Sequence, residues 1–490
     1  MSSTHNQQMV STSAPERTKM QETRKRFGIS RKAIATGIAA ALLISGASSL
    51  SATASSKKPA KKPAKAKPAK PAAAKEVNEF LNPKCPAKPT TLTIASAVIL
   101  ENPGGKADQA NADEFMKKCP NVKVEFIGIP SNLLPEKLTT LAIGGSLPDM
   151  YMHFTSFTGK ALQMRTFEDL KPLLGEDYVK GFDPLFLGEA IQGGKLLWAP
   201  WVGIPMAVAY RKDLWEEAGI KTFPKTWDEF LEVAKKLTVD KDKDGKIDQY
   251  GWAMVGTPNG SGAGRFHAVV LNSGAYDLKQ NPDGRFVSGA SLKGYETALQ
   301  LYGDAIKAGV VPPGQTTTGY PEASAQLATG KGVMMVTGPH TMGIAVTQNP
   351  SLKGKLGGFP LPTANGAKPI TVLNQHGYAI ARSSKNKALA AEYIKFMLST
   401  ERILYYNELE YRLPSRLKAQ EDPKVKSGMA AGFVDALKGN VWSDSTASFL
   451  GSVVKVNFDA YSEMFLGKKT AAEIAKEADA KIKKLIADNA

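Results

Sequence analysis

From Thr90 onward the chain alternates two kinds of pattern. Short β-branched and apolar runs, such as Thr90 to Val98 and Val122 to Ile127, read as strands. Between them lie segments whose apolar positions recur at helical spacing. Strands alternating with helices argue for βαβ units and an α/β fold, with sheets covered by helices. Two helix starts are marked chemically: Thr226 with Glu229, and Thr470 with Glu473, each fit the S/T-x-x-E capping box. After the second, Ile474, Ala478, Ile482 and Leu485 return at helical spacing and predict a final amphipathic helix. Trp215, Trp227 and Trp252 are assigned to core packing, since a Trp directly after a helix N-cap, as Trp227 is, packs inward. No internal repeat is present.

The two cysteines of the chain, Cys85 and Cys119, each stand a few residues before one of these strands. In a βαβ unit both then sit at the N-terminal ends of neighbouring parallel strands, where they can pair in an oxidising compartment or remain structural thiols.

At 490 residues and 42% hydrophobic composition, the chain can bury more than one core. The formal net charge of +17 would suggest nucleic acid if it were spread over the body. It is not: residues 1–75 carry 15 Lys and Arg against Glu16 and Glu22, and the other 415 residues net only +4. Nucleic-acid binding by the body is therefore excluded as an expectation. Arg24, Lys25, Arg26, Arg31 and Lys32 precede an uncharged run from Ala33 to Ser56, and Ala52 with Ala54 supply a small-residue cleavage pattern. This is the layout of a secretory signal peptide over 1–54. The same uncharged stretch, at ~1.5 Å per residue, is just long enough to stay as an uncleaved membrane anchor. Residues 55–84 then form a Lys/Pro/Ala-rich linker, extended by its composition and able to touch the cell envelope through its lysines.

One loop has metal-site spacing. In Asp240 to Asp248 (DKDKDGKID), Asp240, Asp242, Asp244 and Asp248 occupy positions 1, 3, 5 and 9, with Gly245 at the sharp turn. The Lys246 backbone carbonyl and the Gln249 side chain can add oxygens, but position 12 is Gly251, so the closing bidentate Glu is missing. A structural calcium and a solvated Asp-rich turn both fit; no cofactor is otherwise required. Gly256 to Gly264 (GTPNGSGAG) lacks the Lys-Ser/Thr ending of a phosphate loop and reads as a cleft loop.

Several segments, in order, resemble the extracellular solute-binding proteins of ABC importers, the group that includes maltose- and oligosaccharide-binding proteins. They are Leu138 to Met152 (LTTLAIGGSLPDMYM), Gly194 to Pro205, Ala209 to Ala218 (AYRKDLWEEA), Pro224 to Phe230 (PKTWDEF), Gly330 to Pro339 (GKGVMMVTGP), Phe359 to Pro362 and Ser384 to Met397. The resemblance covers about residues 90 to 488. It departs from the pattern at His340, where an aromatic commonly follows Gly-Pro, and in having no lipid-attachment cysteine. It implies a periplasmic-binding-protein-like fold of two lobes, each with a central sheet flanked by helices, joined by a hinge. One lobe would comprise 85–204 plus 336–376, the other 205–335 plus 377–490.

The resemblance also implies an exported, monomeric binding protein that hands a small solute to a membrane permease, not an enzyme. No G-x-S-x-G, H-E-x-x-H or C-x-x-C motif is present. Ligand-binding candidates are His153 and Phe154 at a strand end and Trp201 in the first crossing. His340, Asn374, Gln375 and His376 lie where the chain leaves later strands, and Tyr411 with Arg412 lie in a closing loop; Trp198 is the weaker of the two crossing tryptophans. A flat aromatic face with hydroxyl-binding groups suits a mono- or oligosaccharide, a neutral sugar best. A polyamine would want cleft carboxylates, and a phosphate ester would want cations, for which only Arg412 and Arg265 are candidates. A polysaccharide-active enzyme and a sensor-feeding binding protein are the other readings.

Overall fold

A computed structural model describes residues 78–442 and 444–489. The signal segment 1–54 and the linker up to residue 77 lie outside the described residues. Among the described residues, eleven strands build two main sheets: β1 (Thr90–Ser96), β2 (Val122–Gly128), β3 (Met150–Phe154), β4 (Ala199–Pro205), β5 (Ala207–Arg211), β6 (Tyr250–Trp252), β7 (Gly332–Thr337), β8 (Leu356–Phe359), β9 (Ile370–Ile380), β10 (Leu413–Pro414) and β11 (Asn440–Trp442). The helices that matter below are α1 (Gly104–Lys118), α2 (Trp227–Lys236), α3 (Gly260–Asn272), α4 (Tyr320–Thr329), α5 (His340–Gln348), α6 (Lys387–Met397), α7 (Thr400–Glu410), α8 (Leu450–Leu466) and α9 (Ala471–Asp488).

The first sheet runs in the order β10-β4-β9-β3-β1-β2, with β11 pairing the start of β9. The second runs β8-β5-β7-β6. Neither is purely parallel: β1 pairs in parallel with β2 and β3, whereas β9 runs antiparallel to β3 and β4. Each sheet has its own apolar core. Leu92, Ile94, Tyr151, Trp198 and Trp201 pack with Phe396 of α6 and Tyr406 of α7 under the first. Val208, Trp252, Phe266, Tyr302, Tyr461 and Ile482 pack around the second.

The chain leaves the first sheet after Pro205 and enters the second at Ala207. The later lobe boundaries need correction. Strand β8 pairs with β5 of the second sheet, so residues 356–359 do not belong with the first lobe. Conversely, His376 to Ile380 pair with β3, and α6 and α7 pack on the first core, so 377–410 do not belong with the second. The physical reason is β9, an eleven-residue strand whose start packs with the second core and whose end completes the first sheet. Trp442 of β11, Ala447, Phe449 and helices α8 and α9 return to the second core.

Local chemistry explains several elements. Thr470 and Glu473 form both bonds of the capping box, and Ile474, Ala478 and Ile482 are buried along one face of α9. At Thr226 the hydroxyl caps the Glu229 N–H at 3.2 Å, but the Glu229 carboxylate accepts from Lys225 N instead of closing the box. Register Thr90↔Val122 between β1 and β2 sets the preceding cysteines side by side, and Cys85–Cys119 form a disulfide with Cα atoms 5.3 Å apart. Trp215, Trp227 and Trp252 are buried core residues, the first two on helices and Trp252 on β6.

Candidate functional site

Helix α5 links the two bodies. It packs on α4 of the second and on α7 of the first. A Cβ at Gly343 would stand 2.4 Å from the Leu409 carbonyl, so only glycine lets the backbones of α5 and α7 approach this closely. At the start of α5 a polar cluster gathers from both sides.

From the first body, Arg412 follows the α7 C-terminus, where Tyr411 turns the chain with φ 56°. Its guanidinium is 3% exposed and is held by three groups: Glu410 Oε2 at 3.1 Å, Glu101 Oε2 at 3.3 Å and His376 Nδ1 at 3.2 Å. Burial opposes its charge, but its surroundings, Tyr406 first and then Glu410 and Glu101, more than offset this and hold its pKa above the ordinary value. Since arginine only donates, His376 Nδ1 must accept. Burial and Arg412 push the His376 pKa well down, so the neutral ring carries its proton on Nε2, a donor for a ligand. The opposite face of the pair is Phe154, whose ring centroid is 4.5 Å from that of His376.

From the second body, Asn259 caps α3 by accepting from the Ser261 and Gly262 N–H groups. The glycine-rich segment before it is thus a helix cap; Gly262 leaves room for the Tyr461 hydroxyl, which a Cβ would meet at 2.1 Å. One turn on, Arg265 lies 4.8 Å over the Tyr320 ring and donates to Thr337 Oγ1 at 3.0 Å. Thr337, Thr341 and Tyr320 continue as a hydroxyl chain, with gaps of 2.7 and 3.0 Å. His340 stacks obliquely near Tyr320, centroids 5.4 Å apart. Its pKa is held well below the ordinary value by burial first, and then by the charges of Arg412, Arg265 and His376.

The sequence candidates therefore divide. Phe154, His340, His376 and Arg412 come together, and Asn374 shares the strand face of His376 by the two-residue period. His153 does not join them: it is fully buried among Phe157, Phe167 and Trp198, bonded to Thr158 Oγ1 at 2.8 Å, with burial pushing its pKa down to about 3. Trp201 is likewise core, fully buried against Tyr406 and Tyr378 at 4.3 and 5.3 Å. Trp198 is core beside His153. Gln375 points to the opposite face from its neighbours and is 2% exposed. Tyr411 packs against the apolar layer of Met342, Ala345 and Phe433. These are corrections; for His153, Trp201 and Gln375 the cause is strand alternation, which puts adjacent residues on opposite faces, whereas Tyr411 is the left-handed residue that ends α7 and turns into the apolar layer.

Glu101, Glu410, Tyr320, Thr337 and Thr341 were missed. Glu410 carried a local signal, a carboxylate two residues before the candidate arginine. Glu101 carried none, since it reaches Arg412 from 311 residues away.

In the Asp-rich loop, carboxylate oxygens of Asp240, Asp242 and Asp244 lie within 4.8 Å of one another. Asp248 Oδ2 instead accepts from Lys241 N, and Gly245 takes φ +87° at the turn. Gln249 is 4% exposed; its Nε2 donates to Leu237 O at 2.8 Å, and its Oε1, like Asp240 Oδ1, is buried without a partner. The orphaned Asp240 oxygen within a group of three carboxylates fits a hard cation such as calcium. The Lys246 ammonium stands 3.6 Å from Asp244 Oδ2 and partly offsets their charge.

Among the described residues no helix is long and apolar enough to cross a membrane. A relative in Brucella abortus named only as a binding protein is 26% identical over 370 residues, covering 75% of this chain and 86% of its own. The diacetylchitobiose-binding protein DasA of Streptomyces coelicolor is 27% identical over 303 residues, covering 60% of this chain and 67% of its own. An ABC transporter solute-binding protein of Thermotoga lettingae bound to α-D-tagatose superposes with TM-score 0.72 at 20% identity, over 81% of this chain and 100% of that one. Maltose-bound MalE3 of T. maritima gives 0.70 at 24% identity, over 81% and 99%. These structures share the fold: two sheets with flanking helices. Residues 100–402 match the model of the bacterial extracellular solute-binding proteins, a family of binding proteins and not of enzymes, and the chain belongs to that family.

Proposed function

We propose that this chain captures a mono- or oligosaccharide between its two bodies and delivers it to the membrane permease of an ABC importer. The observation that carries the reading is the cluster at the start of α5. Phe154 offers a flat face, neutral His376 offers its Nε2–H as a donor, neutral His340 adds a second imidazole, and Asn374 adds an amide. That is the set a sugar needs, aromatic surface for its C–H face and neutral partners for its hydroxyls. The diacetylchitobiose, tagatose and maltose in the names of similar proteins support a carbohydrate. Two buried arginines weigh against a polyamine.

Capture works by closure. A ligand that touches groups from both bodies binds the closed arrangement more tightly and shifts the population toward it, and the permease then reads that closed surface. The family is one of binding proteins, which supports reading the cluster as a capture site. Its extracellular family agrees with export, for which 1–54 would be the signal, cleaved or retained as an anchor.

A calcium ion held by Asp240, Asp242, Asp244 and Gln249 would be structural, tying the loop after α2 to β6. The test of the main reading is a thermal-shift screen of the full chain against neutral and acidic sugars, polyamines and sugar phosphates. A rise with a sugar supports it; a rise confined to polyamines or other non-sugars contradicts it.

A further inference from the structure

Three arginines of the described residues are buried: Arg211, Arg265 and Arg412. Arg211 is paired with Asp213 at 2.8 Å, and Arg412 with Glu410 and Glu101. Arg265, 8% exposed, pairs with no carboxylate of the described residues, and burial, only partly offset by the tyrosines around it, holds its pKa below the ordinary value. A buried charge without a counter-ion is costly, and a protein that keeps one has a use for it.

The donors can be counted. A guanidinium has five N–H bonds. Nη1 gives two, to Ser261 O at 2.9 Å and Ser261 Oγ at 2.7 Å, and Nη2 gives one, to Thr337 Oγ1 at 3.0 Å. All three acceptors are neutral. Nε is buried and has no acceptor, and one Nη2–H is also left over. The Tyr320 ring covers one face of the guanidinium, so approach is in its plane, where two donors remain. Those two donors and one uncompensated charge match a planar carboxylate, which takes two parallel N–H bonds and carries one negative charge. A phosphate ester, bearing up to two charges, would keep one uncompensated here.

We propose that the sugar bound in this cleft is acidic, a uronate-type residue whose carboxylate docks on Arg265 as its missing counter-ion. This rests on the reading that the cleft takes a carbohydrate. Arg265 then sets specificity. The hydroxyl chain Thr337–Thr341–Tyr320 holds the guanidinium in place, and His340 and His376 serve the ring hydroxyls.

The test is calorimetric titration of the full chain with matched pairs: glucuronate and galacturonate mono-, di- and trisaccharides, their neutral counterparts and the sugar phosphates. At least one uronate should bind about tenfold or more tightly than its neutral counterpart, and added salt should weaken only the uronate. In Arg265→Gln that ratio should fall toward one, while Arg265→Lys keeps part of it. The matched comparison on the unmodified chain stands even if both variants fold poorly. Neutral sugars binding as tightly as their uronates, or sugar phosphates binding best, would overturn the proposal and leave the carbohydrate reading in place. Silence from every sugar, acidic or neutral, would overturn both.

Discussion

Arg412 Nε lies 3.1 Å from Glu410 Oε2, two residues back across the Tyr411 turn, and both side chains are almost wholly buried. The pair fixes the arginine that orients His376, so it ties the end of α7 to β9. Removing one partner of such a pair strands a buried charge, at a cost of about 3–5 kcal/mol.

Glu410→Ala is therefore expected to lower unfolding stability by about that amount, since only the half-exposed Glu101 would remain for Arg412. Urea denaturation of the full chain measures it. Replacing both residues with apolar side chains of similar size should recover much of the loss; an equal or larger loss would contradict the pairing.

Trp201 is a core residue and not a sugar platform. Trp201→Ala should cost about 3–5 kcal/mol, as large-to-small changes at sealed aromatic positions do. Sugar affinity, measured well below the melting temperature, should change little. A tenfold loss of affinity in the folded variant would return Trp201 to the cleft.

His267 is buried 3.1 Å from Asp277 and 3.5 Å from Asp444. Burial alone would lower its pKa, but the two carboxylates raise it from 6.5 to about 10. A raised folded pKa means that the stabilisation is complete below pH 6.5 and is lost as pH rises through about 10, on the order of a few kcal/mol. The pKa of Asp277 is lowered despite its burial, so its share is present above its ordinary value of 3.8 and is lost as pH falls below it. Stability of the native chain minus that of His267→Gln should decline between pH 6.5 and about 10. A flat difference would contradict the buried ion pair.

Calcium should raise the melting temperature and a chelator should reverse the rise. Asp242→Asn combined with Asp244→Asn should abolish the response, since a hard cation depends on charged oxygens. A melting temperature indifferent to calcium would assign the loop to solvent.

The fold class was legible because periodicity is local: the capping box at Thr470 and the spacing of Ile474, Ala478 and Ile482 each need only a few residues of sequence. The disulfide was half legible, since strand positions put Cys85 and Cys119 near each other while the register Thr90↔Val122 decided the pairing. Site residues were less so. A strand end at His153 and Phe154 is visible in sequence, but which of the two faces the cleft depends on pairing with β9, and a shift of one residue exchanges them. The lobe boundaries failed for a similar reason, because β9 serves both bodies and no break in composition marks where it passes from one to the other.

The central claim is that the cluster at the start of α5 captures a carbohydrate, and the most direct measurement is calorimetric titration of sugars into the full chain and into a His376→Ala variant. The account predicts saturable one-to-one binding of one sugar class, weakened about tenfold or more when His376 is removed. Tight binding of a non-sugar solute with no response to any sugar, or sugar binding indifferent to His376, would contradict it.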